Sequence, residues 1–182
     1  MQDEQSLVLQ AQKCNQEAFA KLYEQNFDKI YRYIYLKVGN KTEAEDMTQQ
    51  VFIKALQSIS TYKWKDVPFS AWLFRIAHNQ VIDYYRKQSR QATTPLYEYM
   101  AVSDSSPEKT VEQKSDIERL LLASKQLTPA QQEVISLRFA GELPIVEVAR
   151  IMGKTQGAVK ALQHSAILAL RKIMLVEEDV QE

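Results

Sequence analysis

The sequence predicts an all-α protein of two small helical domains joined by a flexible linker, the C-terminal domain carrying a helix-turn-helix. Three observations predict it. Apolar residues recur at three- and four-residue steps in two long blocks, the spacing that gathers them on one face of a helix. Only four Gly and five Pro occur in 182 residues, so long helices meet few breakers. Between the blocks lies a stretch holding Pro95, Ser103, Ser105, Ser106, Pro107 and several acids, with little apolar periodicity. The domains are therefore set at residues 1–90 and 116–176, with the linker over 91–115.

A short helix is expected around Leu7 and Ala11. Phe19, Leu22, Tyr23, Phe27, Ile30, Ile34 and Val38 then mark a long amphipathic helix that Gly39-Asn40 stops. Thr42 is the expected start of the next helix, with Glu45 three residues on completing a capping box. Ala44, Met47, Val51, Ala55 and Ile59 form its buried stripe. A short loop over 61–68 holds Tyr62, Trp64 and Lys65, and another helix begins at Phe69 or Ser70 and runs past Arg86. After the linker, periodicity returns with Ile117, Leu120, Leu121 and Leu127. Thr128-Pro129 is a cap with proline at the first helical position, leading a helix through Ala140 that Gly141 closes. Residues 145–152, the turn Gly153-Lys154-Thr155, and residues 156–172 complete the second domain.

The composition narrows the function. Hydrophobic residues make up 45% and charged residues 25%, within the soluble globular range. One cysteine, Cys14, leaves no internal disulfide framework, and with two histidines, His78 and His164, no metal site is expected. Cys14 has no identifiable acid–base partner, and there is no glycine-rich phosphate loop, so neither an enzyme, a cofactor nor a small-molecule substrate is expected. No run approaches the length of a membrane span and the polar start is not a signal peptide, which predicts a cytoplasmic protein without membrane insertion.

Net charge is zero, which by itself argues against nucleic acid, but the distribution is uneven. Residues 61–91 carry Lys63, Lys65, Arg75, Arg86, Lys87 and Arg90 against Asp66 and Asp83. Residues 119–172 carry eight basic residues against Glu133, Glu142 and Glu147. Two basic blocks flanking an acidic linker suit a polyanion. Arg75, Asn79, Arg86 and Arg90 lie at steps of four, seven and four, on one helix face. Cations there suit phosphates, and Asn suits a base edge. Tyr62 and Trp64 offer flat surfaces for an unstacked base. The same pattern also fits an aromatic core beneath a solvated cationic face. In residues 146–160, Ala149 is small where two helices must pack, Gly153 makes the turn and Val159 is the buried residue of the second helix. That geometry lets a recognition helix enter a major groove. An ordinary helical hairpin in a partner-binding module reads similarly.

Taken in order, these segments resemble RNA polymerase sigma factors of the extracytoplasmic-function type. Residues 43–52 are similar to that family's Asp-Ala-Glu-Asp-Leu-Val-Gln-Glu-Thr-Phe motif, matching at Ala44, Glu45, Asp46, Gln49 and Phe52. The resemblance implies that Glu45, Asp46, Gln49, Gln50 and Phe52 dock on a coiled coil of the polymerase's largest subunit. Phe69, Trp72, Leu73, Arg75, Ile76, Ala77, Asn79, Ile82, Asp83, Tyr84 and Arg86 resemble the promoter-melting helix. By that likeness Tyr62, Lys63, Trp64, Lys65, Arg75, His78, Asn79, Arg86, Lys87 and Arg90 meet the minus-ten element. Residues 127–139 and the helix-turn-helix are similar to the C-terminal sigma domain. Lys154, Thr155, Gln156, Lys160, His164, Arg171 and Lys172 would then face the minus-thirty-five element. The implied partners are RNA polymerase core, promoter DNA and an anti-sigma factor.

The departures are specific. Gln50 stands where relatives usually carry Glu, and Leu162, Ser165 and Ile167 replace the arginines usual in the recognition helix. Leu162, Ile167 and Leu168 either pack internally or add apolar surface for a partner. A helix-turn-helix regulator without sigma activity is the alternative function. Such proteins normally carry an upstream receiver, and residues 1–90 lack its alternating strand and helix pattern.

Overall fold

In a computed structural model the backbone is described for residues 4–63, 67–92 and 122–179, and side chains for 4–63, 67–90 and 122–174. Every regular element among the described residues is helical. The expected linker lies outside them except at residues 91 and 92, which end a helix, and so do Ile117, Leu120 and Leu121.

Helix α1, Glu4–Gln12, buries Leu7, Val8 and Ala11. Helix α2, Gln16–Val38, is capped by Asn15, whose side chain accepts from the Ala18 amide at 3.1 Å. Gly39 ends it in the left-handed region at φ 71°, with its amide donating to the Tyr35 carbonyl. Leaving that turn, Asn40 is extended and its side chain accepts from the Glu43 amide at 3.0 Å, so Asn40 caps helix α3, Lys41–Ser58. The Thr42–Glu45 capping box is therefore corrected: Thr42 lies inside the first turn, and Glu45 stands 3.9 Å from Lys41. A 3-10 turn, Ile59–Thr61, leads to the loop.

Helix α4, Phe69–Ala92, buries Phe69, Leu73, Phe74, Ala77 and Val81. Its first amides are satisfied from the far end of the domain. Glu4 Oε2 and Oε1 accept from Phe69 and Ser70 at 3.3 and 3.4 Å, placing a carboxylate against a positive helix terminus.

Helix α5, Pro129–Ile135, opens with proline after the Thr128 cap, and Gln131 completes a reciprocal capping box. The helix expected to run unchanged through Ala140 instead widens to a π turn at Ser136–Ala140. Helix α6, Ile145–Met152, ends on Gly153 at φ 62°. Helix α7, Gln156–Asp179, follows at once, with Val159 and Ala166 fully buried. Thr155 Oγ accepts from the Ala158 amide at 3.2 Å, starting the recognition helix. The two helical groups do not stand apart: α2 packs on the π turn, α4 packs on α6, and buried side chains of both form one continuous cluster.

Candidate polymerase and nucleic-acid interfaces

Helix α3 turns Ala44, Met47, Val51 and Ala55 into the core, so the opposite face is committed to solvent. Asp46, Gln49 and Gln50 lie on that face and Glu45 is half-buried. Phe52 does not. It is 4% exposed, with its ring 4.6 Å from Tyr23 and 6.3 Å from Phe27. The reading of Phe52 as a contact anchor is corrected: it holds α3 on α2. The apolar groups available to a partner are Ile53 and Leu56, 45% and 55% exposed. They follow Gln49 by four and seven residues, one face of the helix. Sequence reasoning missed them, although their position off the buried stripe marked them.

On α4, Arg75, Asn79, Arg86, Lys87 and Arg90 are all exposed, as the spacing predicts. Arg86 Nη1 lies 3.4 Å from Asp83 across one turn. In the loop, Lys63 is exposed, while Trp64 and Lys65 lie outside the described residues. Tyr62 is turned inward, which corrects its reading as a stacking platform. It is 7% exposed, packed on Trp72 at 4.9 Å and edge-on to Phe69, and its hydroxyl donates to the Val67 carbonyl. Burial, with the negative charges of Glu4 and Glu147, pushes that phenol up to about 12.

His78 is drawn elsewhere. Its Nδ1 donates to Glu133 Oε1 at 2.9 Å, and the same oxygen accepts from the Tyr33 hydroxyl at 2.8 Å. Lys37 Nζ sits 2.8 Å from the other oxygen, Oε2. Glu133 thus joins α5 to α2 and α4. Burial alone would push its carboxyl up, but hydrogen bonds from His78 and Lys37 and their positive charge prevail and hold it at about 2. Tyr33, fully buried beside that carboxylate, is raised well above its ordinary value.

A lowered carboxyl stabilises the fold above its ordinary value of 4.5, and that contribution is lost as pH falls through about 2. It amounts to about 3 kcal/mol, from the free energy of one pKa unit. In urea titrations from neutral pH down to about 2, wild type should lose this much more stability than Glu133→Gln. Parallel pH profiles of the two proteins would contradict the assignment.

In the helix-turn-helix, Lys154, Thr155, Gln156, Lys160, His164, Arg171 and Lys172 are all exposed. The three positions where arginines are replaced have separate fates. Leu162 is half-buried against the core, and Ser165 Oγ accepts from Gln131 Nε2 at 3.2 Å, tying α7 to α5. Ile167, with Leu168 beside it, stays exposed. The internal-packing reading holds for Leu162 and the surface reading for Ile167 and Leu168. Among the described residues no group of three or more His, Cys, Asp or Glu could hold a metal ion. None of the described helices is long and apolar enough to cross a membrane.

Two family descriptions match this chain: Sigma-70 region 2 over residues 22–91, and Sigma-70, region 4 over residues 125–172. The chain is 39% identical over 170 residues to the ECF RNA polymerase sigma factor BldN of Streptomyces coelicolor, covering 92% of this chain and 64% of that protein. It is 33% identical to the ECF RNA polymerase sigma factor SigW of Bacillus subtilis, covering 91% of this chain and 93% of that one. Among solved structures, the sigma factor RpoE in complex with the anti-sigma factor NepR from Bartonella quintana shares the fold. The TM-score is 0.70 at 22% identity, covering 87% of this chain and 97% of that chain.

Proposed function

The chain belongs to the sigma-70 family, among the RNA polymerase sigma factors of the extracytoplasmic-function type, and on that basis we propose how its surfaces share the work. It is a transcription initiation factor that binds RNA polymerase core and directs it to promoters. The observation that carries the reading is the succession of region 2 and region 4 in one helical chain.

Residues 1–90 dock on core and open the promoter, residues 116–176 read the upstream element, and residues 91–115 join them. On α3 the docking surface is Asp46, Gln49 and Gln50 with Ile53 and Leu56 as its apolar part. Polar groups give register, and desolvated apolar side chains give most of the affinity. A DNA-binding regulator that never meets polymerase has no use for that exposed stripe, which disfavours the alternative. The protein works in the cytoplasm, where polymerase and promoter meet, and catalyses no reaction of its own.

On α4, Asn79 hydrogen-bonds a base flipped from the non-template strand, with Lys63, Arg75, Arg86, Lys87 and Arg90 on the adjoining phosphates. Unpairing a base costs a few kcal/mol, which stacking and hydrogen bonding offset. Lys154, Thr155, Gln156, Lys160 and His164 face the upstream element, with Arg171 and Lys172 near its backbone. Ile167 and Leu168 leave apolar surface on the same helix, α7, suited to an anti-sigma factor.

Asn79→Ala tests this division. It should leave core binding intact and reduce open-complex formation by about tenfold, the value of one base-edge hydrogen-bonding side chain. Permanganate footprinting on a cognate promoter reads it. Equal reactivity of the bubble with wild type and variant would remove Asn79 from the melting surface.

A further inference from the structure

Between α3 and the second half of α4 lies a cleft of about 590 Å³, within the size range of small-ligand sites. Three features of its lining point to a ligand. The first is Gln80, which is 9% exposed. Among the described residues its Nε2 is the one buried side-chain nitrogen or oxygen without a hydrogen-bond partner. A buried donor left unpaired costs stability, and on the wall of a cleft it is explained by an acceptor that enters from the cleft.

The second feature is charge. Lys54 of α3 and Arg86, Lys87 and Arg90 of α4 line the cleft, with Glu43 and Asp83 as its acids. Four cations against two carboxylates leave the wall two charges positive. A terminal phosphate, at roughly −1.5 to −2 near neutral pH, complements that balance, and a triphosphate would overfill it. The third feature is a place for a ring. Tyr84 and Met47 supply the apolar part of the wall. The Tyr84 hydroxyl accepts from Gln88 Nε2 at 2.7 Å, which fixes the ring. Burial first, and then the nearby Glu43 charge, raise that phenol above its ordinary value, so Glu43 stands on the same side of the cleft mouth. An amide that donates and accepts side by side pairs bidentately with adenine, Nε2 to N7 and Oε1 from the N6 amino group. An aromatic face beside it takes the base by stacking.

We propose that the α3–α4 cleft is a site for an adenine nucleoside 5′-monophosphate, free or at the 5′ end of a DNA strand. Gln80 reads the base, Tyr84 and Met47 take its apolar faces, and Lys54, Arg86, Lys87 and Arg90 hold the phosphate. Gln50 of the docking face also lines the cleft, and three of the four cations belong to the face assigned to DNA. A bound monophosphate thereby lowers the positive charge that α4 offers to promoter phosphates.

Isothermal titration calorimetry on the full chain tests the site with AMP, adenosine and ribose 5-phosphate. Wild type should bind AMP more tightly than either fragment, since each fragment lacks one half of the contacts. Gln80→Leu should weaken AMP about tenfold, within the worth of a bidentate amide–adenine pair, and leave ribose 5-phosphate unchanged. Lys54→Glu alters only an exposed side chain and keeps the test valid if Gln80→Leu folds poorly. It should weaken AMP and ribose 5-phosphate by a similar factor. No binding of AMP, or equal affinity for AMP in wild type and both variants, would overturn the site. Oligodeoxyadenylate with and without a 5′-phosphate identifies the source. Tighter binding of the phosphorylated strand, lost in Gln80→Leu, supports a strand end in the cleft. Equal binding of the two strands, with AMP still bound, supports the free nucleotide. None of these titrations contains polymerase, so their failure leaves the initiation assignment untouched.

Discussion

Replacing Ile53 and Leu56 together with glutamate should cut affinity for polymerase core by about a hundredfold or more, because interface hot spots cost ~2 kcal/mol or more each when lost. The substitutions would also bury two carboxylates against the partner, which no contact within this chain compensates. Both side chains are exposed in the free protein. The thermal midpoint should therefore stay within a few degrees of wild type, since surface substitutions usually change stability by about 0.5 kcal/mol or less. Surface plasmon resonance against core gives the affinity and calorimetry gives the midpoint. Phe52→Ala is the counterpart. Its ring lies between α3 and α2, so it should lower the midpoint strongly. Core affinity unchanged in Ile53→Glu/Leu56→Glu would place the docking face elsewhere.

Phe74→Ala should be the most damaging single truncation for the fold, at about 3–5 kcal/mol, the usual loss when a buried aromatic side chain leaves a cavity. Phe74 is fully buried, meets Tyr33 edge-on at 5.4 Å and carries the close contact with Gly141. One cavity therefore weakens the N-terminal core and its seat for the π turn together. For a chain of this size the midpoint should fall by roughly 10 °C. Phe139→Ala, at a ring left exposed on the π turn, is the control and should fall within about 0.5 kcal/mol of wild type. A mild loss at Phe74, comparable to Phe139, would mean the core does not depend on that ring.

Local chemistry was legible, and long-range packing was not. Gly39, Thr128-Pro129 and Gly153 announced their helix ends because a left-handed turn or a proline at the first position depends on neighbouring residues only. At the start of α3 the local rule was ambiguous. Asn40 to Glu43 and Thr42 to Glu45 satisfy the same capping spacing, and the left-handed Gly39 decides for Asn40 by leaving it extended. The cationic face of α4 was readable from its spacing. The fate of Tyr62 was not, because it depends on Phe69 and Trp72 closing over it. Phe52 and Ile53 are adjacent apolar residues, and only the seating of α3 on Tyr23 and Phe27 sends one inward and leaves the other exposed. Glu133 appeared in the sequence as one acid in a basic block. Its partners stand 100 residues away at Tyr33 and 55 away at His78, beyond any local pattern.

The central claim, that this chain confers promoter-dependent initiation on RNA polymerase, is tested most directly by run-off transcription with purified core on a library of promoter fragments. Discrete transcripts should arise when the chain is added to core and be absent with core alone. Adding the Ile53→Glu/Leu56→Glu variant should give none. Transcripts identical with and without the chain, while it still binds DNA fragments by itself, would contradict the claim and favour a helix-turn-helix regulator that acts without docking on polymerase.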